Sequence, residues 1–89
     1  MNNKVLIKLI VPEIDETFDL FIPVNEIVWK VKKMIVQCVN GLSSGALDVD
    51  KKFVLINKNT GMVYPNNGTI LNTDIRNASE ILLVSLLYY

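Results

Sequence analysis

The chain has no histidine, one cysteine, one arginine and no net charge, and each shortage closes off a class of function. Without histidine it has no side chain that titrates unperturbed near neutrality, so ordinary general acid–base catalysis has little to work with. A lone cysteine cannot close an intramolecular disulfide and suits a reducing compartment. Nine basic residues balance nine acidic ones, and Arg76 is the only arginine, which is a poor electrostatic footprint for nucleic acid. No apolar run approaches the ~20 residues that span a bilayer. The opening residues Met1-Asn2-Asn3-Lys4 lead into a strand pattern without the apolar core and cleavage site of a signal peptide. The expectation is a cytoplasmic protein that binds no nucleic acid, carries no cofactor and does not insert into a membrane.

What is present is a core-forming composition. Of 89 residues 51% are apolar, enough for one packed domain and too few for a second core. Residues 25–42 (NEIVWKVKKMIVQCVNGL) are the organising stretch. At about 100° per residue, Ile27, Val28, Val31, Met34, Ile35, Cys38, Val39 and Leu42 fall on one broad helical stripe. Asn25 is placed to cap the first turn, and Gly41 to end the helix. Such a stripe needs a sheet to cover it.

The flanking segments supply one. Residues 4–11 (KVLIKLIV) alternate with period two, with Val5, Ile7, Leu9 and Val11 on one face and Lys4, Leu6, Lys8 and Ile10 on the other. Pro12 closes that strand, a short polar turn follows, and residues 17–22 (TFDLFI) return as the second arm of an antiparallel hairpin, ended by Pro23. After the helix, residues 43–52 form a polar connector under which Leu47 and Val49 are expected to tuck. Residues 53–57 (FVLIN) read as a third strand, too evenly apolar for periodicity to assign its faces. A turn at Asn59-Thr60-Gly61 leads to a short edge strand at 62–64, stopped by Pro65. One helical turn is expected at 72–75, then a last strand at 80–86 (EILLVSL). Its apolar character on both faces puts it in the centre of the sheet, parallel to the first strand. The order β-β-α-β-β-β with a mixed sheet packed on one helix is the α+β architecture of the β-grasp, filling residues 1–86 and leaving 87–89 as a short tail.

The sequence also resembles a known family. Residues 69–84 (TILNTDIRNASEILLV) resemble the closing segment of ubiquitin, with Ile70, Ile75, Ile81 and Leu83 at its core positions. Over almost the whole chain the pattern is similar to the small bacterial ubiquitin-like proteins of the YukD/EsaB type. Thr17-Phe18-Asp19-Leu20 with Pro23 resembles their second strand, Leu47-Asp48-Val49-Asp50 their connector, and residues 75–81 their Ile-x-x-Gly-Asp-x-Leu ending. Here Ala78-Ser79 stands in place of Gly-Asp, and the chain runs on to Tyr88-Tyr89. The resemblance implies a cytoplasmic accessory or regulatory protein of a type VII secretion system, acting on protein partners that include components of a membrane machine. Conjugating and sulfur-carrying members of the fold need a terminal Gly-Gly, and the last residues here are Leu86-Leu87-Tyr88-Tyr89, so neither activity is expected. Rival readings are an adaptor unconnected with secretion and a small enzyme or sulfur carrier on the same fold.

Chemistry-bearing residues are few. Cys38, in the middle of the apolar stripe, reads as a small core hydrophobe rather than a nucleophile. Asp15-Glu16 and Asp48/Asp50 lack the spacing of a calcium loop and read as solvated loop acids. Two candidate interaction surfaces remain. On the helix, Trp29, Lys33 and Val36 lie away from the stripe; Trp29 either anchors a partner or folds against the connector or hairpin. On the sheet, Leu6, Ile10, Phe21, Leu82 and Val84 point away from the helix as an apolar patch, for a partner or for a second copy of the chain. A covering role for the terminal tyrosines is the alternative.

Overall fold

The computed structural model describes residues 3–86. Strand β1 (Lys4–Val11) and strand β2 (Glu16–Pro23) form the expected hairpin, in register from Lys4 opposite Pro23 to Val11 opposite Glu16. The link is one 3₁₀ turn at Pro12–Ile14, closed by Asp15 in the left-handed conformation. Helix α1 (Val28–Leu42) crosses the sheet, followed by strand β3 (Phe53–Asn57) and strand β4 (Glu80–Ser85). The strand order is β2-β1-β4-β3. Strand β4 runs parallel to β1, with Leu9 beside Ile81, and antiparallel to β3, with Leu55 opposite Leu83. The central position expected for the last strand is the one observed.

Among the described residues four strands, not five, make the sheet. Residues 62–64 contribute a single bridge, Val63 to Ile56, because Pro65 lacks a donor and the chain turns away at once. The short helical turn falls at Ile70–Asn72 rather than at 72–75. The core lies between the inner face of the sheet (Ile7, Leu9, Val11, Ile22, Leu55, Ile81, Leu83) and the helix (Val28, Val31, Ile35, Val39). Ile70 and Ile75 from the crossover close one end of it.

The helix departs from expectation in three ways. Its N-cap is Ile27, not Asn25, and no side chain caps it. The orphan N–H groups of Val28 and Trp29 donate instead to the carbonyls of Gly68 (3.0 Å) and Asn66 (3.3 Å), so the 66–68 turn does the capping. Gly41 is helical; the chain reverses later, at Ser44 and Gly45, both with positive φ, where the Gly45 N–H returns to the Asn40 carbonyl at 2.8 Å.

The buried arc is also turned by roughly 50° about the helix axis from the stripe the sequence suggests. Val36, expected outside, is 7% exposed, whereas Met34, Cys38 and Leu42 are exposed and Ile27 is half-buried. The reason is asymmetric cover. On the Val36 side the connector drops Leu47 into the core, and Phe53 and Tyr64 pack there too. On the other side, among the described residues, only the edge strand β2 approaches, and Met34 and Cys38 line a shallow cleft of about 130 Å³ beside Leu20 and Phe21. Val49, expected beneath the connector, is exposed.

Candidate functional site

Strand alternation sends every second side chain of the sheet to the face opposite the helix, and pairing arranges those side chains in rows. Leu6 and Phe21 form one row at the end of the hairpin, with Phe21 63% exposed. The next row is charged: Asp19 opposite Lys8, and Lys8 beside Glu80. Lys58 extends it, with its Nζ 3.7 Å from a Glu80 carboxylate oxygen. Beyond this lies an apolar row, in which Ile10 pairs with Leu82, Leu82 with Ile56, and Ile56 with Val63. Val84 and its partner Val54 widen it by one step.

The five sheet residues singled out from the sequence are therefore all on the outer face, but not in one patch. Ile10, Leu82 and Val84 come together; Leu6 and Phe21 stand apart, across the charged row. Val54, Ile56 and Val63 join the main patch and were not singled out: the run 53–56 is evenly apolar and its periodicity does not reveal its faces, and Val63 reaches the patch only through its bridge to Ile56. The signal existed one strand away. Once Ile81 and Leu83 point inward, antiparallel pairing sends Val54 and Ile56 outward.

The turn that positions β4 for this face is built from polar side chains. Ala78 holds φ at 71° and donates its N–H to the Leu6 carbonyl at 2.8 Å. The Asn77 side-chain oxygen accepts the Leu6 N–H at 2.9 Å, and the Ser79 hydroxyl oxygen accepts the Arg76 N–H at 2.8 Å. The turn forms without the Gly-Asp pair of the resembling family, but an alanine in the left-handed region is strained where glycine is not.

The helix residues Trp29, Lys33 and Val36 take part in a different feature. They line one wall of a groove whose other wall is the connector and the edge of β3. Trp29 is 45% exposed, and the Lys30 ammonium lies 5.9 Å from its ring centroid. The Lys32 ammonium donates to the Asn66 side-chain oxygen at 2.7 Å, and burial lowers its pKa. At the groove floor the buried Tyr64 donates its hydroxyl to Asp74 at 2.7 Å, and the Asn57 amide donates to the other Asp74 oxygen at 3.1 Å. Burial first, and the Asp74 carboxylate second, raise the Tyr64 phenol far above its ordinary value.

Among the described residues, no three His, Cys, Asp or Glu side chains gather as a metal-binding set, and no helix is long and apolar enough to cross a membrane. The alternative, a covering of the sheet by Tyr88-Tyr89, lies outside the described residues.

No family model matches the sequence, and no curated protein does. Solved structures do match in shape. The N-terminal ubiquitin-like domain of the 4931431F19Rik protein superposes with a TM-score of 0.72 at 18% identity, covering 100% of this chain and 81% of that one. The EccD5 ubiquitin-like domain from Mycobacterium xenopi gives a TM-score of 0.69 at 10% identity, covering 96% and 97%. A chain of the MycP5-free ESX-5 inner membrane complex gives 0.68 at 10% identity, covering 96% of this chain and 21% of that one. At these identities the likeness concerns the backbone, and together with the mixed sheet packed on one helix it establishes the fold as the ubiquitin-like β-grasp.

Proposed function

We propose that the protein is an interaction module, of the YukD/EsaB ubiquitin-like type, that docks a protein partner on the outer face of its sheet as a cytoplasmic accessory of a type VII secretion machine. One observation carries the docking surface: Ile10, Leu82, Val84, Ile56 and Val54 form a continuous apolar patch with no element packed over it among the described residues, bounded on one side by the Asp19–Lys8–Glu80–Lys58 row. Apolar area supplies affinity without direction, while a fixed alternation of charges beside it accepts only a partner with the complementary order. The secretion context is supported by the sequence resemblance and by the fold shared with the EccD5 domain and with a chain of the ESX-5 inner membrane complex. Fold alone does not specify function. The catalytic alternative has less behind it: where a hydroxyl does meet a carboxylate, at Ser85 and Glu13, the serine is buried at the end of β4.

The test starts from the light-scattering mass of the purified wild type, beside Trp29→Ala and Leu82→Glu/Val84→Glu. A folded monomer in all three leaves the sheet face available. Each is then titrated with the cytosolic segments of the same organism's secretion-membrane proteins. Binding by the wild type, lost in the glutamate pair and kept in Trp29→Ala, is the expected result. A wild-type dimer broken only by the glutamate pair makes the face a self-interface. Equal binding by the glutamate pair, or none by any segment, removes the reading.

A further inference from the structure

Zero net charge conceals an uneven distribution. Four of the nine acids, Glu13, Asp15, Glu16 and Asp19, sit on the β1–β2 hairpin. Lys32, Lys33, Lys51 and Lys52 line the groove between α1 and β3, where Asp50 is the only acid on the walls among the described residues and Glu13 of the hairpin reaches one end. The groove has a volume of about 780 Å³. Lys51 is held from one end by Glu13 at 3.6 Å, and Lys32 by Asn66; Lys33 and Lys52 have no ion pair among the described residues. The apolar contribution comes from the exposed Trp29 and from Val36 and Phe53 beneath it.

The groove also contains backbone that seeks a partner. Strand β3 is at the edge of the sheet. The Lys52 carbonyl and the Lys58 N–H turn toward β4, to Leu86 and Glu80, so alternation turns Phe53, Leu55 and Asn57 toward the open edge. There Tyr64 takes the Leu55 carbonyl and Met62 the Asn57 N–H, after which Pro65 leads the chain away. The N–H and C=O of Phe53 meet no backbone partner among the described residues. An unpaired edge next to a cationic rim is a template for an added strand of opposite charge.

We infer that this groove binds an extended acidic peptide, with its carboxylates on the Lys33 and Lys52 ammoniums, an apolar side chain against Trp29, and its backbone paired with Phe53. A peptide suits these observations better than nucleic acid. Among the described residues the groove has no arginine and a single exposed aromatic ring, and its open hydrogen-bonding groups are those of a strand. The site is distinct from the apolar row of the outer sheet face, and it stands whether or not that row docks a partner.

Trp29 is the only tryptophan, so its emission reports occupancy of the groove. The probe is a short peptide alternating glutamate with valine. It should give a saturable change that weakens as salt is added and falls by about tenfold in affinity in Lys33→Glu/Lys52→Glu. Both lysines are exposed, and the far-UV spectrum checks that the variant is folded. The Phe53 amide should shift in the NMR spectrum of the complex, and N-methylating alternate peptide amides should weaken binding by a similar factor. The lysine–valine counterpart should leave Trp29 unchanged. The inference is overturned by undiminished binding in the double lysine variant, by equal affinity for the N-methylated or the lysine peptide, or by no saturable change at all. Tighter binding of a short oligonucleotide of equal charge would assign the groove to nucleic acid. A concentration-dependent Trp29 change with doubling of mass, in the absence of peptide, would assign it to the acidic hairpin of a second copy. Either result also overturns the peptide reading.

Discussion

The two flanks of α1 are built from similar residues and have different fates. Toward β3, Val36 is buried beneath Leu47, Phe53 and Tyr64, and Trp29 is half covered. Toward β2, Met34, Cys38 and Leu42 are no more polar, yet all three are exposed. The difference lies in what crosses over them. The 43–52 connector and the 62–66 segment cover the first flank, the connector bringing Lys51 and Lys52 with it, whereas the hairpin arm β2 ends the sheet on the second and no described residue lies beyond it. Burial here is assigned by chain routing, not by side-chain hydrophobicity. The same routing made one flank a charged groove and left the other a shallow apolar cleft.

Four substitutions would break or sharpen that contrast. The largest effect should come from Leu47→Ala, which removes the cover of the β3 flank. It should cost about 3 kcal/mol in a urea titration, because a fully buried leucine leaves a cavity. A loss below about 1 kcal/mol would mean that the connector is incidental to the burial of Val36.

Tyr64→Phe should cost about 1.5 kcal/mol, the worth of a hydrogen bond to an exposed carboxylate. It also carries a pH signature. The phenol pKa is raised in the folded state, so the protein holds the protonated form more tightly than the unfolded chain does. That contribution is complete below the ordinary phenol value of about 10 and is lost as the pH rises above it. Wild type should therefore lose its advantage over Tyr64→Phe as the pH rises from about 10 to the alkaline limit of about 12, as measured by thermal melts of the pair.

Ala78→Gly acts on neither flank and serves as the reference. It relieves a left-handed alanine in the turn that ties β4 to β1, and should raise stability by about 1 kcal/mol. Because that turn belongs to the centre of the sheet, the gain should add independently to both other losses. The smallest effect should be that of Cys38→Ser, within about 0.5 kcal/mol of wild type, with the native thiol reacting freely with an alkylating reagent. A cost of several kcal/mol, or a protected thiol, would mean that the β2 flank is covered after all.

Much of the fold was legible in the residues. Pro12 and Pro23 bounded the hairpin arms, and the alternation of residues 4–11 assigned both faces of β1. The apolar character of residues 80–86 on both faces marked β4 as central. The sites were only partly legible. Leu82, Val84 and Ile10 could be placed on the outer face, but not the charged row that separates them from Leu6 and Phe21. That row exists only because Lys8, Asp19 and Glu80 meet across three strands. The helix cap could not be read at all, since the carbonyls that accept from Val28 and Trp29 belong to a turn some forty residues further on.

The physical reason is a difference in periodicity. A strand has a period of two and only two faces, so one buried residue assigns all the others, and the sequence by itself determined β1, β2, β4 and their pairing. A helix has no discrete faces. The apolar positions of α1 cover a wider arc than one sheet can bury, and its sequence permits several rotations about the axis. Only the tertiary structure decided among them: by routing the connector over Val36 it buried that residue, exposed Cys38, and brought Trp29 and four lysines to the open edge of β3.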